Sequence, residues 1–220
     1  MSKRSTVVFV AVSALLLFAV GGYIYSTVRL LQAPAPAQAV QESSLVRQHS
    51  PVIGKADARV TIVEFLDPSC EGCRAFYPIV KDVLAKNPDD VKLVIRYAAF
   101  HEGSEEAVRI VEAARLQGKF EQVLEALFNG QDEWAAHSGP DLKRAWDIAR
   151  DAGLELMQAR LDSVKPEIDA VLKQDAADVT TNKVEQTPTF FVNGAPLTQF
   201  SEEGFRMLVQ QQLDATANGT

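Results

Sequence analysis

The sequence predicts a mixed α/β domain in which a helical subdomain interrupts a sheet. Three observations carry that prediction. Two β-branched and aromatic runs, residues 60–66 (VTIVEFL) and 91–98 (VKLVIRYA), flank a segment of helical periodicity. The stretch from Phe100 to Thr187 then holds only helical patterns. Finally, two short strand-like runs meet at Asn193-Gly194, a dipeptide that favours the tight turn of a hairpin.

The first run is almost continuously apolar, which suits a central strand covered on both faces. Ser69 can cap the helix that follows, where Phe76, Val80, Val83 and Leu84 share a face until Asn87-Pro88 stops it; Pro78 kinks it. In the second strand Val91, Leu93 and Ile95 lie on one side of the pleat, and strand, helix and strand make a right-handed βαβ unit. Four helical patterns follow, beginning near Ala107, Phe120, Leu142 and Pro166 and separated by Gly118, Asn129-Gly130, Ser138-Gly139-Pro140 and Gly153. They define an insert at about residues 101–185. Residues 189–192 and a strand holding Pro196 form the hairpin, and the missing N–H of Pro196 places that strand at an edge. A helix from about Ser201 to Leu213 closes the domain, leaving residues 214–220 as a disordered tail.

The N-terminus is a separate object. Lys3 and Arg4 precede an uncharged run over residues 7–25. Its 19 residues make a helix of about 28 Å, close to the roughly 30 Å of a bilayer core. Residues 1–31 therefore read as a cytoplasmic N-terminus and a transmembrane anchor, with the rest of the chain exported. Ala37-Gln38-Ala39 offers the competing reading of a cleaved signal peptide, but it lies beyond the run, and the run exceeds a signal core. Residues 32–51, rich in Ala, Pro, Gln and Ser, read as a linker, and residues 52–213 as the folded domain.

Charge excludes some partners. The net charge is -7, and setting aside Lys3, Arg4 and Arg29 leaves -10 on the exported part, which argues against nucleic acid and anionic lipid.

Cys70 and Cys73 are the only cysteines, in Cys70-Glu71-Gly72-Cys73 just after the first strand. Two cysteines provide no disulfide framework, and a zinc site would need His49, His101 or His137 to converge on them. No metal and no cofactor is expected. The pair suits reaction at a helix N-terminus, where unpaired N–H groups stabilise a thiolate. Two thiolates also suit soft Cu(I), so a copper carrier, or a redox-inactive adaptor, stands as the alternative.

The order Glu64, Cys70-x-x-Cys73, Pro78, long helical insert, Thr187-Pro188, Asn193-Gly194 resembles the DsbA-like branch of the thioredoxin superfamily over residues 52–213. The resemblance implies a thioredoxin-like fold with an inserted helical subdomain and a thiol-disulfide oxidoreductase. Cys70 would be the exposed nucleophile and Cys73 the thiol that resolves the mixed disulfide. Glu64 occupies the position of a buried acid beneath the site; its strand neighbours Ile62 and Leu66 share its face, so it is expected inside, where it can move a proton for Cys73. Pro188 corresponds to the family's cis-proline and Thr187 to the residue whose backbone meets an extended substrate. Glu71 and Gly72, between the cysteines, would modulate the thiols. As an acid about 6 Å from the Cys70 sulfur, Glu71 opposes the thiolate by roughly 1 kcal/mol, about what the helix end supplies; it also complements the helix dipole as any first-turn acid does. Together with Thr187 this points toward an isomerase or reductase rather than a strong oxidase. His101 follows the second strand and reads as a surface or satisfied histidine, and Trp134 and Trp146 as packing or rim residues.

These readings place the protein in the bacterial inner membrane as a single-pass protein with a periplasmic catalytic domain. It would act on exported cysteine-containing proteins and draw on a membrane redox partner.

Overall fold

A computed structural model describes residues 44–217. Their sheet runs in the order β1 (Val52–Ile53), β3 (Val91–Tyr97), β2 (Val60–Leu66), β4 (Thr189–Val192), β5 (Ala195–Pro196). β2 and β3 pair in parallel and every other pair is antiparallel, so β2 is central and Pro196 lies on an edge strand. Helix α1 (Glu71–Lys86) makes the crossover between the parallel strands.

The pleat divides the core as period-2 alternation requires. Ile62, Leu66, Leu93, Ile95, Phe190 and Val192 join the α1 side. Val63, Phe65, Val94 and Phe191 face the other way onto Leu45, Val179 and Val184. Between β3 and β4 the chain folds into α2 (Ser104–Leu116), α3 (Phe120–Asn129), α4 (Gln131–Trp134), α5 (Leu142–Asp151), α6 (Leu156–Asp162) and α7 (Pro166–Thr181), and α8 (Glu202–Ala217) follows the hairpin. The apolar faces of α2, α3 and α5 are continuous with the α1-side core, and Trp134 and Trp146 are buried within it. The fold is therefore thioredoxin-like with a helical insertion.

Four sequence readings change. Residues 44–51 belong to the folded domain rather than a linker: Leu45 is buried, the Arg96 guanidinium donates to the Ser44 and Leu45 carbonyls, and Arg47 pairs with Asp178. Composition could not show this, because the partners lie on β3 and α7. The tail is shorter, since α8 runs to Ala217 with Leu213 buried and the Thr216 hydroxyl donating to the Gln212 carbonyl. The insert holds two more helices than the four expected, α4 and α6, whose 4 and 7 residues are too short to print a periodicity. Ser69 does not cap α1; Cys70 takes the cap position and no side chain caps it. No helix among the described residues is long and apolar enough to cross a membrane. The proposed anchor, residues 7–25, lies outside them.

Candidate active site

Strand β2 ends at Leu66, and five residues later α1 begins, aiming its N-terminus at the loop before β4. Because no side chain caps α1, its first N–H groups are left for a ligand. Gly72 permits the closest approach: a Cβ there would stand 3.1 Å from Pro188 Cδ, 3.4 Å from the Thr187 carbonyl oxygen and 3.5 Å from Cys70 Sγ. The Thr187-Pro188 peptide is cis. The structure thus brings Cys70, Gly72, Thr187 and Pro188 together from positions more than a hundred residues apart.

Both cysteines are free thiols, in contrasting settings. Cys70 Sγ lies 3.2 Å from the Thr187 carbonyl oxygen. That oxygen can only accept, so it serves the thiol form. The thiolate draws on donors: the Cys73 thiol first, then the Thr187 hydroxyl and the backbone N–H groups of Cys73 and Gly72, which together overcome burial and hold Cys70 down to about 5. Cys73 is fully buried, and burial, its bond to Cys70 and the charges of Glu64 and Cys70 push it well above the ordinary thiol range, against one N–H from Asp67 at 3.4 Å.

Glu64 stands in the sheet beneath, paired in register with Ile95 on one side and Phe190 on the other. It is completely buried, neither oxygen has a hydrogen-bond partner among the described residues, and burial followed by the Cys70 charge pushes it up to about 8. The side chain of Glu71 points outward, 65% exposed, 3.5 Å from His137. It is not among the leading influences on Cys70, so the near-cancellation expected from the sequence gives way to a stabilised thiolate.

Sequence reasoning passed over Asp67 and undervalued His101. The fully buried Asp67 lies 2.7 Å from His101 Nδ1 and takes the N–H groups of Ser69 and Phe100. An acid immediately after a buried strand, three residues before the first cysteine, was the available signal.

A helix N-terminus carrying two cysteines one turn apart, one of them wholly buried, closed by a cis-proline loop on a thioredoxin-like sheet, defines the class of thioredoxin-like dithiol domains. Residues 47–211 match the family model described as Thioredoxin, and the chain belongs to that family. It is 30% identical to a thioredoxin-like oxidoreductase from Silicibacter pomeroyi whose crystal structure superposes with a TM-score of 0.67, covering 84% of this chain and 99% of that one. It is 29% identical over 168 residues to disulfide bond formation protein D of Bacillus subtilis, covering 69% of this chain and 71% of that protein. It is also 32% identical over 193 residues to the Na(+)/H(+) antiporter NhaA 1 of Mycolicibacterium gilvum, covering 84% of this chain. There the chain spans only 30% of the relative's length.

Proposed function

We propose that this chain is a thiol-disulfide oxidoreductase acting on exported proteins. One observation carries the reading: two free thiols three residues apart meet the cis-proline loop at the N-terminus of α1, Cys70 Sγ 3.2 Å from the Thr187 carbonyl oxygen and Cys73 wholly buried. The donors around Cys70 lower it, and burial raises Cys73. The Cys70 thiolate attacks one sulfur of a substrate disulfide, that S–S bond breaks, and the departing substrate thiolate leaves a mixed disulfide. Once Cys70 is bound in the mixed disulfide, its charge no longer raises Glu64; Cys73 gives its proton to the ionised fraction of Glu64 and attacks Cys70 Sγ, which breaks the mixed disulfide and releases the second substrate thiolate. The chain is oxidised by two electrons and the substrate reduced by two; the reverse sequence delivers a disulfide. An extended substrate is bound by the backbone of Thr187 beside Pro188, as an added strand.

For direction, a nucleophile at about 5 falls between roughly 7 for thioredoxin and roughly 3.5 for DsbA, whose potentials are about -270 and -120 mV. We expect a couple between those two limits and below that of a strong oxidase, which suits isomerising or reducing wrong disulfides. The apolar run at residues 7–25 supports a single-pass anchor in the bacterial inner membrane, a periplasmic catalytic domain and a membrane partner that supplies electrons.

Equilibration with glutathione tests the reading. A two-electron couple clearly below the roughly -120 mV of DsbA, with turnover of insulin disulfides, is expected; a potential at or above about -120 mV would make the chain an oxidase. Tight Cu(I) binding without exchange of any disulfide would instead establish the carrier. An N-terminal sequence beginning at Val40 in the mature protein would refute the anchor.

A further inference from the structure

The dipeptide between the cysteines supplies no cation, but the loop between β3 and α2 brings His101 onto the same acid that holds both cysteines. Asp67 is fully buried, and its main chain holds both cysteines: its N–H reaches Cys73 Sγ at 3.4 Å and its carbonyl accepts the Cys70 N–H at 3.1 Å. Its carboxylate holds the other loop. Oδ1 accepts the Ser69 N–H at 2.8 Å, while Oδ2 accepts the N–H groups of Phe100 at 2.9 Å and His101 at 3.2 Å and lies 2.7 Å from His101 Nδ1. A carboxylate only accepts, so Nδ1 carries the proton. The His101 side chain is 44% exposed, so part of the ring meets solvent.

We propose that Asp67 and His101 form a positioning pair for the dithiol, in which Asp67 fixes an imidazolium beside the first turn of α1 and that positive charge favours the Cys70 thiolate. The inference rests on Cys70 being the reactive thiol of the proposed function. When Cys70 ionises, its S–H bond breaks with the electron pair left on sulfur and the proton passing to solvent; no electron changes hands. The charged groups that face His101 are Asp67 from the loop after β2 and Cys70 and Glu71 from the start of α1; burial pulls the imidazole down, and these three overcome it and raise it above its ordinary value. Linkage is reciprocal: whatever the thiolate does to the imidazolium, the imidazolium does to the thiolate. The four donors already around Cys70 act more strongly, so the effect expected is about threefold.

The reciprocal titration is the test. The His101 ring resonance, assigned by its loss in His101→Gln, is followed against pH by NMR in the reduced and the oxidised protein. The expected result is a proton affinity about three times higher in the reduced form; equal midpoints overturn the proposal. The second measurement is the glutathione equilibrium. His101→Gln should become about threefold more reducing, or about 14 mV at 29.6 mV per tenfold, while His101→Lys stays near the parent. Equal behaviour of Gln and Lys would mean that charge is irrelevant and would also overturn it. A redox-linked His101 titration in a protein that exchanges no substrate disulfide would leave the pair standing and remove the functional reading.

Discussion

Cys70 and Thr187, 117 residues apart in the chain, meet at the threonine's carbonyl, which accepts from the Cys70 thiol at 3.2 Å. The Thr187 hydroxyl is buried with no hydrogen-bond partner among the described residues, a donor in reserve that favours the thiolate when Cys70 ionises.

Replacing Thr187 with Val keeps the branched shape and removes that donor. A bond to a charged group is worth about 1.5 kcal/mol, close to one pKa unit. Thr187→Val is expected to raise the Cys70 midpoint by about one unit and shift the couple by about 30 mV toward the reducing side. Thiolate absorbance against pH, with a glutathione equilibration, checks both; an unmoved midpoint would show that the hydroxyl plays no part.

The roles of the two cysteines separate by substitution. Cys70→Ser should abolish exchange, whereas Cys73→Ser keeps the nucleophile but removes the only other thiol, so mixed disulfides accumulate. Non-reducing gels after incubation with a disulfide substrate read this directly. Adducts on Cys70→Ser but not on Cys73→Ser would reverse the assignment.

Much of this site was legible because its chemistry is local. Cys70 and Cys73 one turn apart, a strand before them and a Thr-Pro before the next strand require only periodicity and spacing. The burial of Glu64 followed from the alternation of Ile62, Glu64 and Leu66. What escaped depends on long-range pairing of charges. Arg96 falls on the side of β3 opposite Val91, Leu93 and Ile95, yet it is wholly buried because Asp175 and Asp178, one turn apart on α7, converge on it. The same pairing draws Arg47 and His49 out of an apparent linker. His101 was undervalued for the same reason, since nothing near it in sequence announces that Asp67 is its partner.

That charge cluster makes its own prediction. Arg96 Nη2 lies 2.6 Å from both Asp175 and Asp178, and the guanidinium also donates to two carbonyls of the N-terminal segment. Arg96→Met would leave Asp175 and Asp178 buried without the guanidinium they share, at a cost of roughly 3 to 5 kcal/mol in urea unfolding. It should also release residues 44–51 to proteolysis. Burial pushes Asp178 up, but the bonds from Arg47 and Arg96 overcome it and hold it at about 2, below its ordinary 3.8. The stabilisation is thus complete above 3.8 and lost as pH falls toward 2. The parent should lose stability across that window and Arg96→Met much less; parallel acid curves would remove the cluster from the account.

Glu64 should show the opposite sign, because its carboxyl binds a proton more tightly in the folded state. Its pKa is raised from 4.5 to about 8, so the folded protein loses stability as pH climbs between those values. At pH 7 the accumulated cost is roughly 3 kcal/mol, at 1.36 kcal/mol per unit above the unfolded value. Glu64→Gln is neutral and nearly the same size, so it should be more stable than the parent at pH 7 and nearly equal to it at pH 4. The same change removes the carboxyl whose ionised fraction takes the Cys73 proton, and loss of a positioned acid or base slows a step by about a hundredfold or more. The variant should therefore gain stability while its mixed disulfides resolve slowly, with formation of the adduct by Cys70 much less affected. Urea unfolding of the reduced protein at several pH values and quenched-flow trapping of the adduct measure the two halves. A variant that keeps the parent's decline above pH 5, or that resolves adducts at the parent's rate, would show that Glu64 neither carries the buried proton nor serves Cys73.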